Sequence, residues 1–290
     1  MSVLFIVNRT AGNGRAGNEW DEFFPKIRTA FPEMRVAFTE YQGHATAIAR
    51  DSEEDIVVSC GGDGTLNEIV NGIAGKNVKL GIIPLGTGSD FSRTLKIKDI
   101  DMAIASILQG KTIKVDAAKV DFPKEGKSRI FMNVLEIGFG AEVMSFVNRH
   151  KSLGRLSFLF GVFSVIGKLE KFTVEYSYDG RDRADTIEVI VANGRYFGGG
   201  MLASPQSMIQ DGLLDIHILK PFSRIKTLLN LNKLISGEYI SLGLSIEGKS
   251  QKFQVFEEGN LVEMDGEVVG RTPISIEILA GYIDLIVPSQ

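Results

Sequence analysis

The chain has little cysteine, histidine or tryptophan: 1 Cys, 3 His and 1 Trp in 290 residues. A single thiol, Cys60, closes no disulfide, which excludes a disulfide-stapled scaffold and fits a reducing compartment. Cys60 ends an apolar run, so it reads as a small buried residue rather than a nucleophile. His44, His150 and His217 show no metal-ligand spacing. Long apolar runs are missing too. The longest, residues 156–167, falls well short of the ~20 residues a spanning helix needs. Residues 1–7 carry neither a basic start nor a long apolar stretch, so a signal peptide is not expected. Positive charge is not in excess: 32 Lys+Arg against 36 Asp+Glu leave a net charge of −4, which excludes wholesale nucleic-acid binding. The G-x-x-x-x-G-K-[ST] pattern occurs nowhere, which excludes a P-loop.

What is present is ordinary globular material, 44% hydrophobic and 23% charged, in a length that suits one large domain or two average ones. The first third alternates strand and helix periods. Strands are expected at residues 3–7, 35–39, 55–59 and 80–83, and helices at 19–30, 44–51, 66–73 and 100–109. Such alternation implies a parallel sheet covered on both faces. From residue 115 onward most segments read as antiparallel strands, among them 115–122, 130–137, 172–178, 186–192, 213–219, 253–256, 261–264 and 274–286. The turn pairs Asp179-Gly180 and Asp265-Gly266 separate several of these, and helical stretches near 141–171 and 225–236 interrupt them. Two domains follow: an α/β domain at 1–116 and a β-rich domain at 117–279. No linker, repeat or low-complexity segment separates them.

Two glycine-rich loops carry the chemistry. Ser59-Cys60-Gly61-Gly62-Asp63-Gly64-Thr65 leaves a buried strand and enters a helix. Absent side chains let a phosphate approach the main chain, and successive N–H groups at a helix N-terminus point toward it. Thr65 can cap the helix or donate its hydroxyl. Asp63 is the odd member. A carboxylate beside a phosphate repels it unless a cation lies between, which argues for Mg²⁺. Pro84-Leu85-Gly86-Thr87-Gly88-Ser89-Asp90 follows the next strand and repeats the logic, with Thr87 as hydroxyl donor and Asp90 as a second acid. Gly12-Asn13-Gly14-Arg15-Ala16-Gly17 also matches the dinucleotide pattern G-x-G-x-x-G. However, three residues separate it from its strand, and Glu40 lies beyond the usual ~20-residue spacing, so it reads as a decoy.

At these residues the chain resembles the diacylglycerol-kinase-like lipid kinases, a family that includes bacterial diacylglycerol kinases, YegS-type lipid kinases and sphingosine and ceramide kinases, with NAD kinases as distant relatives. Asn8-Arg9-Thr10-Ala11-Gly12 is similar to the family's opening N-P-x-x-G, with Arg9 in place of proline. Gly43-His44-Ala45, the two glycine loops, Ala192-Asn193-Gly194, Gly198-Gly199-Gly200-Met201, Asp211-Gly212-Leu213-Leu214-Asp215 and Asp265-Gly266-Glu267 follow in family order along nearly the whole chain. Ser89 stands where asparagine is common, and Gly140 where aspartate is frequent.

The resemblance implies a nucleotide-binding α/β domain and a β-rich lipid domain with the active site in the interdomain cleft, and a C-terminal strand, about 280–290, that returns to the first domain. It implies ATP and Mg²⁺ as cofactors. Asn8, Arg9, Thr10, Ala11, Gly12, Thr39, Gly61, Gly62, Asp63, Gly64, Thr65, Leu66, Asn67 and Thr87 would contact the nucleotide. Asp63, Asp90 and Asp116 would form an acidic network reaching catalytic Mg²⁺. Asp265, with Glu267 second, would be the base that deprotonates a lipid hydroxyl. Asp265-Gly266 reads equally as a hairpin turn, and a rigid turn can present a base. Met208, Asp211 and Leu213 would hold a separate structural Mg²⁺, although Asp211-Gly212 alone reads as a β-turn.

The partner implied is a lipid, diacylglycerol or a related glycerolipid or sphingoid lipid, collected at a membrane surface. Arg149, His150, Lys151, Arg155 and Lys168 bracket the apolar run 156–167, a pattern that suits an anionic interface as well as a helix packed on a sheet. The expected location is cytoplasmic, peripheral at the inner membrane face; nucleic acid is not a partner, and a dimer is left open. The alternatives are an NAD kinase, which shares the Gly-Gly-Asp-Gly stretch, and a catalytically silent lipid-binding regulatory protein. A Rossmann oxidoreductase leaves both later glycine loops unexplained.

Overall fold

The run Val3–Val7 is buried at every position, as a strand covered on both faces must be. It is β1 of a computed structural model that describes residues 2–86, 89–150, 156–178 and 180–289. The chain divides into two units. One comprises Met1–Asp116, Gly198–Gly200 and Gly281–Gln290, and the other Ala117–Phe197 and Met201–Ala280. Thr87, Lys151, Arg155, Asp179 and Gln290 lie outside the described residues.

The first unit runs β1, α1 (Arg15–Ala30), β2 (Arg35–Phe38), α2 (His44–Arg50), β3 (Ile56–Gly61), α3 (Asp63–Gly72), β4 (Lys79–Pro84), α4 (Asp90–Thr94) and α5 (Ile100–Gln109). Its strands pair in parallel in the order β2-β1-β3-β4. Helix α1 begins four residues before the expected start, because Gly14, at φ 85°, turns the chain and Arg15-Ala16-Gly17 join the helix. Gly17 also lets α1 lie on the first loop, since a Cβ there would meet Arg9 O at 3.1 Å. Trp20 is buried against Phe5 and Phe24, with ring centroids 6.2 and 5.6 Å apart. Helices α2 and α3 pack closely where Gly72 lacks a side chain.

The second unit contains β5 (Thr112–Phe122, whose first residues belong to the first unit), β6 (Lys127–Phe131), β7 (Val134–Gly138), α6 (Phe139–Arg149), α7 (Leu156–Ile166), β8 (Phe172–Ser177), β9 (Arg181–Thr186), β10 (Glu188–Ala192), β11 (Tyr196–Phe197), β12 (Met201–Leu202), β13 (Leu214–Leu219), α8 (Arg224–Leu229), α9 (Leu231–Ile235), α10 (Glu238–Ser241), β14 (Ser245–Ser250), β15 (Lys252–Val255), β16 (Leu261–Met264), β17 (Glu267–Arg271) and β18 (Ile274–Ile286, whose last residues belong to the first unit). One antiparallel sheet has the order β14-β13-β10-β7-β16-β17. Alternate residues on it, such as Leu135, Val189, Ile216 and Val262, meet Val174, Phe253 and Ile276 from β8, β15 and β18 in a sandwich core. Its other face packs on helices through Ile190, Leu219 and Tyr239. The last residues of β18 pair in parallel with β4, Asp284 opposite Lys79.

The long helical stretches expected at 141–171 and 225–236 are instead broken into α6 and α7, and into α8 and α9 with a stop at Asn230. Strands β9, β14 and β17 carried no sequence signal. Each lies at the edge of its sheet, where charged and polar residues face water and the apolar alternation is lost.

Gly72→Ala tests the α2–α3 packing. A Cβ there would sit 2.5 Å from Thr46 O and 2.7 Å from Ala49 Cβ. Overpacking of this kind costs about 1–3 kcal/mol, so the thermal midpoint should fall by several degrees in a calorimetric scan; an unchanged midpoint would contradict the packing.

Candidate active site

Strands β1, β3 and β4 end side by side, Val7 opposite Cys60 and Gly61 opposite Pro84. Three loops therefore leave the sheet at its carboxyl edge, where parallel sheets bind ligands. Asn8 N–H donates to Cys60 O (3.0 Å) and Leu85 N–H to Gly61 O (3.1 Å), which carries the pairing into the loops. The Gly61 loop turns at once into α3. A Cβ on Gly61 would lie 2.6 Å from Thr65 Oγ1, so glycine is what allows the first turn to fold back so tightly. The N-cap, Gly62, offers no side-chain acceptor. The first-turn amides thus lack intrahelical acceptors and present the positive end of the helix dipole.

The neighbouring loops lock onto this one. Asn8 Nδ2 donates to Thr65 Oγ1 (3.0 Å), and Asn8 Oδ1 accepts the N–H and hydroxyl of Thr10 at 3.1 and 2.8 Å. Gly86, at φ 97°, approaches Gly12 so closely that a Cβ would stand 3.3 Å from Gly12 N, and its own N–H donates to Glu19 Oε2 (2.8 Å). Ala11 and Gly12 therefore abut the loop after β4. Thr39 continues β2, its N–H donating to Val7 O (3.0 Å). Arg9 is held by Asp21 on α1, Nη1 to Oδ1 at 2.7 Å, and its guanidinium lies 5.7 Å over the Phe38 ring. That pairing holds the Asp21 carboxyl below the usual range. The part of Arg9 left to serve the loop is its main chain.

Asp63 and Asp90 come together. The Asp63 carboxylate accepts the N–H of Asp90 (2.7 Å) and of Phe91 (3.0 Å) and so caps α4, whose N-cap residue Ser89 makes no such bond. Asp90 is buried; Oδ2 accepts Gly199 N–H (2.8 Å), while Oδ1 has no hydrogen-bond partner and stands 3.5 Å from Arg93 Nε. Burial, and then the Asp63 charge, push Asp90 up to about 6. Burial pushes Asp63 up against the main-chain bonds that favour its anion. Two adjoining carboxyls, one with an orphaned buried oxygen, form a hard-oxygen donor set that fits Mg²⁺. Asp116 is buried on β5, where Oδ1 accepts Gly281 N–H (2.7 Å).

In the second unit Asp265-Gly266 forms the β16–β17 turn, with φ 47° and 94°. Three amides fix the Asp265 carboxylate: Met132 N–H on Oδ2 (3.1 Å), and Asn133 and Val134 N–H on Oδ1 (3.1 and 3.2 Å). Glu267 is half-buried at the start of β17. In the loop expected to hold a structural Mg²⁺ through the Asp211 carboxylate and the main-chain carbonyls of Met208 and Leu213, Asp211 Oδ1 accepts Leu213 N–H (3.2 Å) and Oδ2 is paired with Lys249 (3.3 Å).

Several positioning residues escaped the sequence reading. Glu68 accepts the N–H groups of Gly43 (2.8 Å) and Ala45 (3.1 Å) and caps α2; Glu19, Arg93 and Gly199 hold the third loop and Asp90. The run Gly198-Gly199-Gly200 was the one available signal, because all three glycines are left-handed.

Comparison with known proteins agrees in both halves. The diacylglycerol kinase catalytic domain matches residues 2–120, and the YegS C-terminal NAD kinase beta sandwich-like domain matches residues 133–287. A diacylglycerol kinase of Bacillus subtilis (strain 168) is 28% identical over 296 residues, covering 98% of this chain and 96% of the relative. One from Staphylococcus aureus (strain MRSA252) is 29% identical, covering 98% and 92%. A crystal structure from Bacillus anthracis str. Sterne superposes with TM-score 0.81 at 30% identity, covering 99% of this chain and 95% of that one. A second, described as a diacylglycerol kinase from the same strain, gives TM-score 0.73 at 28% identity, covering 99% and 96%.

Asp90 titrates near 6 when folded, against an ordinary value of 3.8, so the folded chain holds its proton more tightly than the unfolded chain. The ionised group opposes folding above that window and not below it. Asp90→Asn should therefore raise stability by about 1–3 kcal/mol at pH 7.5, with the gain fading as the pH falls to 4. Thermal scans of both forms across that range check it; a variant destabilised equally at every pH would contradict the charge argument.

Proposed function

Because the chain belongs to the diacylglycerol kinase family and is a lipid kinase, we propose that it transfers the γ-phosphoryl group of ATP, bound with Mg²⁺, to the hydroxyl of diacylglycerol or a related glycerolipid or sphingoid lipid. The observation that carries this reading is the Asp63–Asp90 pair beside the first turn of α3, with Asp90 Oδ1 buried and without a hydrogen bond.

The amides of residues 61–65 and the Thr65 hydroxyl bind the phosphate chain, and Asn8 holds that hydroxyl in place. Thr10, Ala11, Gly12, Thr39, Leu66 and Asn67 line the remainder of the nucleotide site. Asp63 and Asp90 would hold Mg²⁺, with Asp116 reaching it through water, and the bound ion would supply charge neutralisation on the transferring phosphoryl group. Asp265 accepts the acceptor's hydroxyl proton while the new oxygen–phosphorus bond forms and the bond to the bridging oxygen of ADP breaks. Its three amide donors fix where that proton is taken up. Glu267 stands second for this role.

Membrane contact is part of the proposal. Phe160 and Phe163 on α7 are 50% and 53% exposed, and Ile225 and Leu229 on α8 are 74% and 76% exposed. The stretches 143–169 and 216–237 that contain these helices carry Lys and Arg but no Asp or Glu, in a chain that is acidic overall. Apolar side chains within acid-free basic stretches suit an anionic bilayer. Among the described residues no helix is long and apolar enough to cross a membrane.

Labelled ATP, Mg²⁺ and a panel of diacylglycerol, phosphatidylglycerol, sphingosine and NAD test the assignment. A lipid should be labelled and NAD should not. Asp265→Asn should lower kcat about 10²–10⁴-fold with nucleotide binding retained, and Ile225→Glu/Leu229→Glu should slow labelling in anionic vesicles more than in detergent micelles. Labelling of NAD alone, or of no acceptor, would contradict the proposal.

A further inference from the structure

Asp265 is held by main-chain amides, and two of those amides belong to peptides that are themselves held from behind. Asn133 N–H and Val134 N–H donate to Asp265 Oδ1 (3.1 and 3.2 Å). The peptide that carries Asn133 N–H has Met132 O at its other end, and that oxygen accepts Asn193 Nδ2 (2.7 Å). The peptide that carries Val134 N–H has Asn133 O at its other end, and that oxygen accepts both Asn193 N–H and Gly194 N–H (2.8 Å each). Met132, Asn133 and Asn193 are all buried. Residues 193 and 194 thus grip the carbonyl end of each peptide whose amide end holds Asp265 Oδ1.

The sheet explains why a side chain is needed there. The β7–β10 ladder ends at the pair Val134–Ala192, and along the other edge of β7 the β16 ladder ends at Leu135–Met264. Beyond these pairs the chain bends at Met132 and Asn133, between β6 and β7, and Met132 O takes its donor from the Asn193 side chain. Two successive N–H groups on Asn133 O set two residues against one, as a bulge does, and bulges beside functional sites re-aim the groups next to them. Glycine permits the approach: a Cβ on Gly194 would stand 2.3 Å from Asn133 Oδ1 and 3.1 Å from Asn133 Cα. A trans peptide is a rigid plane with its C=O and N–H opposed, so fixing the carbonyl fixes the amide. A donor on the carbonyl also polarises the N–H and strengthens its bond to a carboxylate.

We propose that Asn193 is a positioning residue for the base: through the Met132–Asn133 and Asn133–Val134 peptides it sets the direction in which the Asp265 carboxylate faces. This rests on the reading of Asp265 as the group that takes the acceptor's proton. Without the Asn193 amide, Met132 O loses its donor, the first peptide is free to turn, and the acid turns with it. A misplacement of about 1 Å at a reacting group costs on the order of 10²-fold in rate. A side chain that only closed the end of a strand would lower activity whether or not the base is present; one that aims the base acts through Asp265 alone.

The test is a double-mutant cycle in steady-state kinetics of the full chain, with ATP, Mg²⁺ and the lipid that the panel labels. Asn193→Ala should lower kcat about 10- to 100-fold and leave KM for ATP unchanged. In the Asp265→Asn background, where no base remains to be aimed, the same substitution should change the residual kcat less than about twofold. Gly194→Ala, which crowds the same peptide without opening a cavity, should show the same coupling and stands in if Asn193→Ala does not fold. Amide NMR spectra give a readout apart from activity. The Asn133 and Val134 N–H resonances, set by a charged acceptor, should move in Asn193→Ala while those of α3 stay in place, which also shows that the variant folds. Equal losses of kcat in both backgrounds, or unmoved Asn133 and Val134 resonances, would overturn the positioning role and leave the base assignment standing. An unchanged kcat in Asp265→Asn would sink the base assignment, and this inference with it.

Discussion

The carboxylate of Asp63, seated on the first two amides of α4, is the contact that organises the loops at the carboxyl edge of the first unit's sheet. It sets the start of α4 directly after the third loop. It also places Asp90, one residue into that helix, against a second acid within a buried site. A fold that sought only stability would separate these groups or give them a buried cation. Here the nearest guanidinium, Arg93, is half exposed and stands 3.5 Å from an oxygen that makes no hydrogen bond. Strained charge at the carboxyl edge of a parallel sheet, beside a helix N-terminus, is the arrangement expected where a ligand and its cation complete the electrostatics.

The three loops are a single object for a steric reason. Gly61 folds onto Thr65, Gly86 onto Gly12, and Gly17 onto Arg9 O. Asn8 then spans the first two loops by side-chain hydrogen bonds, and Glu19 reaches the third. Each glycine removes a Cβ that would push main chains apart, and each polar side chain satisfies an amide or hydroxyl that the loop leaves open. The second unit works differently. Its six-stranded sheet is apolar toward the sandwich core, yet carries Asp215, His217, Glu136, Glu188 and Glu263 toward the helices. His217 is fully satisfied there, between Glu247 and Ser204 Oγ (2.9 Å), and Asp215 accepts the Ser207 hydroxyl (2.9 Å). Against that background of paired polar groups, Glu136 Oε2 and Glu188 Oε1 make no hydrogen bond.

Much of this was legible in the sequence. Buried parallel strands announce themselves as unbroken apolar runs, and Val3–Val7 and Ile56–Gly61 appear close to where the pattern put them. The glycine loops and their acids were legible because a turn from a buried strand into a helix is written in local spacing, not in tertiary context. The edge strands were not, since Arg181–Thr186 has no apolar alternation and exists only because β8 lies beside it. Nor was the length of α1, whose first turn hides inside a run that looks like a loop. Glu136, Glu188 and Glu263 are 52 and 75 residues apart in order, and nothing local says that they meet; register across three strands brings them together.

Calorimetric titration of the chain with a non-hydrolysable ATP analogue, with and without Mg²⁺, tests the central claim most directly. If Asp63 and Asp90 await a cation carried with the nucleotide, affinity should rise at least about tenfold with the metal, and Asp63→Asn/Asp90→Asn should remove that rise while leaving metal-free binding intact. Equal affinity with and without Mg²⁺ in the unaltered chain would contradict it.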